Sequence, residues 1–82
     1  MDEIDWASDV PRWQQLRDLI VARIEDGTYS RGERVPSVVA LHADFGVAAA
    51  TAQKALRALR EDGWTYTVPG LGSFVGPKPG RG

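Results

Sequence analysis

The chain has 82 residues, of which 43% are hydrophobic and 26% are charged, a composition typical of one small soluble globular domain. It contains no cysteine and only one histidine, so disulfides and thiolate metal sites are excluded and a zinc site is not expected. The net charge is −1, but four of the eleven acidic residues precede Arg12, and the seven that follow face ten basic residues, so residues 12–82 carry a net charge of +3.

The first ten residues, MDEIDWASDV, show neither a helical nor a strand period and contain the acidic cluster. We expect residues 1–10 to be a flexible segment, either simply solvated or screening a basic surface. The chain has no apolar run of membrane-spanning length, and its start lacks the basic and apolar regions of a signal peptide. A cytoplasmic protein is therefore expected.

A first helix is predicted from Pro11, which suits the first turn of a helix, to Gly27, which favours its end. Apolar residues recur between them at helical spacing: Trp13, Leu16, Leu19, Ile20 and Ile24. Short extended pieces are expected afterwards, around Tyr29 and around Arg34–Val35.

A second helix is predicted from Ser37, a suitable N-cap that follows Pro36, to about Phe45. Gly46 permits a sharp turn, and Val47 is expected to fill the angle between two helices. Leu41 and Phe45 are spaced to face the core.

A third helix is predicted from Ala48–Ala49 to about Asp62, ended by Gly63. Its buried stripe is expected to consist of Ala52, Ala55, Leu56 and Leu59. The sequence WTYTV then favours a strand, PGLG a turn, and SFV a returning strand, so a hairpin is predicted over Trp64–Val75. Residues 77–82 are rich in Gly and Pro and are predicted to be a flexible tail.

Three helices followed by a two-stranded hairpin predict a mainly α winged helix-turn-helix domain over residues 11–76. The motifs EDGTYSRGERVPS, LHADFGV, TAQKALRAL, DGW and GLGSFV, in this order, resemble the DNA-binding domain of GntR-type bacterial transcription regulators. Each motif alone would be weak, but their combination and order are specific.

The resemblance implies that the third helix enters the major groove of double-stranded DNA while the wing approaches the adjacent minor groove. The simplest function that it implies is repression by occupying an operator, with no cofactor and no catalysis. Binding as a homodimer to a palindromic site would strengthen the interaction. The residues that we expect to contact DNA are Arg34, Ser37, Ala48, Ala49, Ala50, Thr51, Gln53, Lys54, Arg57, Gly70, Leu71 and Gly72.

Several of these positions depart from the family pattern. The family usually has Ser or Thr followed by Arg where this chain has Ala48 and Ala49. Basic residues are also common at the positions held here by Val39, Thr67, Val68 and Leu71. Because each cation that neutralises a phosphate adds to affinity, we expect one copy to bind DNA with a Kd on the order of micromolar or weaker.

The loss of basic residues leaves a second interpretation open, in which the winged helix binds a protein partner through the alanine face or Trp6. A third is that the chain is a fragment of a larger regulator. His42 stands where the family generally has alanine, and we expect it to be a half-buried structural residue rather than a functional one. No arrangement typical of an enzyme is present.

Overall fold

The computed structural model describes residues 9–76, so the predicted flexible tail at residues 77–82, the first eight residues of the predicted flexible segment 1–10, and the aromatic Trp6 lie outside the described residues. Helix α1 spans Arg12–Glu25, α2 spans Val38–Phe45 and α3 spans Ala49–Glu61. Strands β1, Thr65–Val68, and β2, Gly72–Val75, form an antiparallel hairpin. The predicted order of elements and the winged helix-turn-helix fold are confirmed.

The core lies where α3 packs against α1, with α2 closing one side. Its fully buried members are Leu16, Ile20, Leu41, Val47, Ala52, Ala55 and Leu59. The small side chains of Ala52 and Ala55 let α3 approach its neighbours closely, while the leucines fill the remaining space. Leu56, predicted to belong to the buried stripe, is only half-buried because it lies at the edge that faces the wing.

Helix α2 begins as predicted, because Ser37 Oγ accepts a hydrogen bond from the backbone N–H of Ala40 at 3.1 Å. The helix ends at Gly46, whose φ of +69° is a left-handed conformation that glycine adopts at little cost. Val47 then enters the core with 1% of its surface exposed, as expected. This turn sets the angle between α2 and α3.

His42 has a structural contact, but its side chain is exposed rather than half-buried as we expected. Its Nδ1 lies 2.7 Å from the carbonyl oxygen of Val47, and since a carbonyl only accepts, this nitrogen carries the proton. The bond ties α2 to the start of the turn into α3.

The end of α3 differs from the prediction at Trp64, which belongs to the helix cap rather than to the first strand. The N–H of Trp64 donates to the carbonyl of Leu59 at 2.9 Å, and the N–H of Gly63 donates to that of Arg60 at 3.1 Å. These two hydrogen bonds close the C-terminal end of α3, where Gly63 has a left-handed conformation. The Trp64 ring packs against the core.

The segment before α2 pairs with β2 and so adds a short third strand-like segment to the wing. Val35 N–H donates to the Ser73 carbonyl at 2.9 Å, and Val75 N–H donates to the Glu33 carbonyl at 2.8 Å. The extended piece predicted around Arg34–Val35 is therefore confirmed, and it anchors the base of the wing. Tyr29 forms no strand and instead packs, half-buried, on the core.

The hairpin has two different faces because successive side chains in a strand point to opposite sides. Thr65 pairs with Val75 and Thr67 pairs with Ser73 on the face directed toward α3. The opposite face carries Tyr66 and Phe74, whose rings stack with centroids 5.9 Å apart.

Candidate nucleic-acid interface

The outward side of α3 offers an exposed surface along most of the helix. Its exposed residues are Ala49, Ala50, Gln53, Lys54, Arg57, Arg60 and Glu61. Thr51 differs from its predicted neighbours because it is half-buried, so only part of its side chain is accessible. A helix with one open side has the dimensions required to enter a major groove.

The N-terminal end of α3 is formed by Ala48, which has extended backbone angles and no side chain that could cap the helix. The first N–H groups of the helix are therefore not bonded to the N-cap side chain. A helix N-terminus of this kind carries partial positive charge, which favours a nearby phosphate. The exposed side chains there, Ala48–Ala50, supply methyl groups but no hydrogen-bonding atoms.

Lys54 is held on the side of α3 that faces α1. Its Nζ lies 5.2 Å from the centroid of the Trp13 ring, and the guanidinium carbon of Arg17 lies 5.5 Å from the same centroid. Arg17 also forms an ion pair with Asp18 at 2.7 Å. The ammonium group of Lys54 therefore lies at the surface, and the ring of Trp13 limits its orientations.

Arg57, one turn after Lys54 on the exposed surface, lines a groove between α3 and the inner face of the wing. We call it the wing groove; it has a volume of about 300 Å³ and is lined by Val38, Gln53, Leu56, Arg57, Arg60, Thr67 and Ser73. On the wing side of this groove, Thr67 Oγ1 lies 3.2 Å from Ser73 Oγ. Among residues 9–76, no carboxylate lines this groove.

Arg34 belongs to the wing rather than to the helix surface. It pairs with Phe74 as an isolated bridge, and its guanidinium lies so close to Gly72 that a Cβ on this glycine would be 3.0 Å from Arg34 Nε. Ser37, another predicted contact, is exposed, but its hydroxyl already accepts the capping bond of α2.

The tip of the wing is apolar. Leu71 is 59% exposed and stands between Gly70 and Gly72, whose φ values are +81° and +120°. Val39, near the start of α2, is 77% exposed. These two side chains occupy positions where we noted the loss of basic residues, and neither is covered by the described part of the chain.

The structure thus brings Gln53 and Arg57 together in the wing groove, and places Lys54 outside that groove, on the part of the exposed face directed toward α1. The same groove is also lined by Arg60, Thr67 and Ser73, which were not among the DNA contacts predicted from the sequence. The spacing of residues 53, 57 and 60 along the helix could have identified Arg60. The family pattern, in which a basic residue is common at position 67, pointed to the position of Thr67, but nothing local indicated that Thr67 and Ser73 would line a groove with α3.

Known proteins resemble this chain in sequence and in fold. Residues 13–75 match the profile described as "Bacterial regulatory proteins, gntR family". The histidine utilization repressor of Pseudomonas putida is 32% identical over 71 residues, which cover 87% of this chain and 29% of that protein. The chain spans between 27% and 31% of the length of the first curated relatives.

Two solved structures show the same arrangement of helices and wing. YtrA from Sulfolobus acidocaldarius, a GntR-family transcription factor, has a TM-score of 0.84 and 29% identity, over 93% of this chain and 80% of that one. The AraR DNA-binding domain in complex with operator ORR3 has a TM-score of 0.78 and 29% identity, over 89% of this chain and 88% of that one. These relatives are transcription regulators rather than enzymes.

Within residues 9–76, no helix has the length and apolar character that crossing a membrane requires. The family match extends from the first turn of α1 to the last residue of β2 and therefore includes every element of the fold. The chain belongs to the gntR family of bacterial regulatory proteins, and its winged helix-turn-helix is the DNA-binding domain of that family.

Proposed function

We propose that this domain binds double-stranded operator DNA and regulates transcription, with α3 in the major groove and the wing at the adjacent minor groove. The observation that carries the proposal is the open face of α3, on which Lys54 lies toward α1 and Arg57 lies at the wing groove. Cations on an exposed helix face suit a major groove, because a phosphate ridge runs along each edge of that groove. The operator complex of the similar AraR domain supports this choice.

Base recognition would depend on few groups. Gln53 is exposed and can form two hydrogen bonds to the N6 and N7 atoms of an adenine. The methyl groups of Ala48–Ala50 can contact the 5-methyl group of thymine, which also lies in the major groove. Both contacts favour A·T base pairs, so we expect the contacted half-site to be rich in them.

Affinity for one domain is expected to be low, because Lys54, Arg57 and Arg34 are the cations among our predicted contacts. Two copies on a palindromic site would double the number of phosphate contacts, with half-sites separated by about 34–36 Å for one turn of DNA. Repression by occupying an operator, in the bacterial cytoplasm, is the simplest consequence of such binding.

The test starts by selecting duplexes that the domain binds from a random pool and then titrating the best palindrome into isotopically labelled protein. We expect the amide signals of residues 49–57 to shift and the affinity to fall steeply with salt. Arg57→Gln should reduce the slope of log K against log salt by about 0.9 for each bound copy, as one lost phosphate contact per copy requires.

Arg31→Gln is the matched control, since Arg31 is exposed and lies in a separate pocket near the end of α1. Equal effects of the two substitutions would point to nonspecific electrostatics. If no duplex shifts the signals of residues 49–57, the proposal is wrong, and a protein partner for the apolar surface of Val39, Leu71 and the alanines becomes the explanation to pursue.

A further inference from the structure

The wing groove contains two arginines that lack acidic partners among the described residues. Arg57 and Arg60 are three positions apart on α3, so their side chains leave the same face of the helix. Both side chains are exposed, and neither forms an ion pair with a carboxylate of residues 9–76. Two like charges in this arrangement repel each other, and an anion between them would remove the repulsion.

The opposite wall of the groove offers neutral hydrogen-bond donors. Thr67 and Ser73 face each other across the two strands, with hydroxyl oxygens 3.2 Å apart, so one hydroxyl can donate to the other while the second points elsewhere. Hydroxyl groups can rotate to donate to an incoming oxygen atom. The amide of Gln53 adds a further donor at the same groove.

We propose that the wing groove binds a phosphate group, namely a backbone phosphodiester of the bound duplex, between Arg57 and Arg60 on one side and Thr67 and Ser73 on the other. The inference rests on the proposed function and extends it. A phosphate has several acceptor oxygens and negative charge, which matches guanidinium forks on one wall and hydroxyls on the other. A carboxylate has fewer acceptor oxygens for donors on two walls.

This site would explain how the domain compensates for the residues that it lacks at the wing. The family commonly has arginines where this chain has Thr67 and Val68. Here the positive charge at the same groove comes from Arg57 and Arg60 on α3. The wing supplies the hydroxyls of Thr67 and Ser73 instead of a charge. The phosphate would therefore be held mainly from the helix.

The experiment compares salt-dependent duplex affinities of two variants with the wild type, using the selected palindrome. For each bound copy, Arg60→Gln should lower the affinity about five- to ten-fold at 0.1 M salt and reduce the log–log slope by about 0.9, because one cation is lost. The double variant Thr67→Val with Ser73→Ala should lower the affinity about three- to ten-fold and leave the slope unchanged, because it removes bonds but no charge. Arg31→Gln serves as the charge-matched control.

If both groove variants behave like Arg31→Gln while Arg57→Gln weakens binding, the phosphate site is wrong and the proposed function stands. If the wild type binds no duplex, the proposed function fails, and titration with inorganic phosphate then decides on the groove. Phosphate-induced shifts of the Thr67 and Ser73 amides that are absent in Arg60→Gln would identify a free phosphorylated ligand as the occupant. Their absence in the wild type as well would overturn the inference.

Discussion

The ammonium nitrogen of Lys54 lies 5.2 Å from the centre of the Trp13 ring, so a cation–π contact joins the surfaces of α3 and α1. Arg57, three residues later, is on the wing side of the same helix. The two cations therefore have different neighbours although they are close on the helix, and the half-buried ring of Trp13 restricts Lys54 before any DNA is bound.

Removing the charge or the ring should therefore affect DNA binding in different ways. Lys54→Met should reduce the salt slope of duplex affinity by about 0.9 for each bound copy, since one phosphate contact per copy is lost. Trp13→Leu should weaken binding about two- to five-fold without changing the slope, because the cation remains but loses a contact worth about 0.5–1 kcal/mol. Fluorescence anisotropy at several salt concentrations measures both quantities. An unchanged slope in Lys54→Met would mean that Lys54 has only a structural role.

The alanine face predicts a dependence on thymine methyl groups. Replacing thymine by deoxyuridine in the half-site removes the 5-methyl group but leaves all hydrogen-bonding atoms in place. We expect affinity to fall about three- to ten-fold at positions contacted by Ala48–Ala50, as a lost buried methyl group of about 0.8 kcal/mol or more would cause. The same replacement outside the half-site is the control. Equal affinities for both duplexes would rule out methyl contacts.

Gly72 should be the least replaceable glycine of the wing. Its φ of +120° lies in a region that side chains rarely adopt, and a Cβ would approach the Arg34 guanidinium at 3.0 Å. We expect Gly72→Ala to reduce the free energy of unfolding by about 1–3 kcal/mol. Gly70→Ala, with φ +81° and no atom within 4 Å of its Cβ, should cost less. Urea unfolding measures both, and the reverse order would contradict the conformational explanation.

Thr65 is a site where a substitution should stabilise the domain. Its side chain is 4% exposed, and its Oγ1 has no hydrogen-bond partner among the described residues. Thr65→Val replaces the buried hydroxyl with a methyl group of similar shape and keeps a β-branched residue in the strand. We expect the free energy of unfolding to rise by about 1 kcal/mol. Thr67→Val at the exposed neighbouring position is the comparison, and a destabilised Thr65→Val would indicate a missed partner.

The titration of the Asp26 carboxylate should report on the structure at the end of α1. Its Oδ1 accepts hydrogen bonds from the Thr28 hydroxyl at 2.6 Å and from the Thr28 N–H at 2.8 Å, and these bonds hold the pKa of Asp26 below its ordinary value. The pKa of Asp26 is lower in the folded than in the unfolded protein, so ionised Asp26 stabilises the fold. This stabilisation is fully present above the unfolded pKa and is lost as the pH falls through the folded pKa. NMR titration of the side chain should show the pKa of Asp26 rising in Thr28→Val. A pKa that stays the same would show that the hydroxyl is not its main cause.

The local sequence predicted the elements of this fold because caps and periodicity act between residues close in the chain. Ser37 was predicted to begin α2, and its hydroxyl caps a backbone N–H of that helix. Gly46 and Gly63 were predicted at the ends of α2 and α3, and both adopt a positive φ there. Trp64 was placed wrongly because a β-favouring side chain was outweighed by the helix cap that its own N–H completes.

The sequence by itself therefore determined the fold class, its order of elements and the family to which the chain belongs. Only the tertiary structure decided which side chains share a surface, placing Thr67 and Ser73 opposite Arg60 and placing Lys54 on Trp13. Periodicity along a helix shows which side chains leave the same face, but it contains no information on which element will face them. That depends on how α1 and the wing pack around α3, which the buried core sets through contacts between residues distant in the chain.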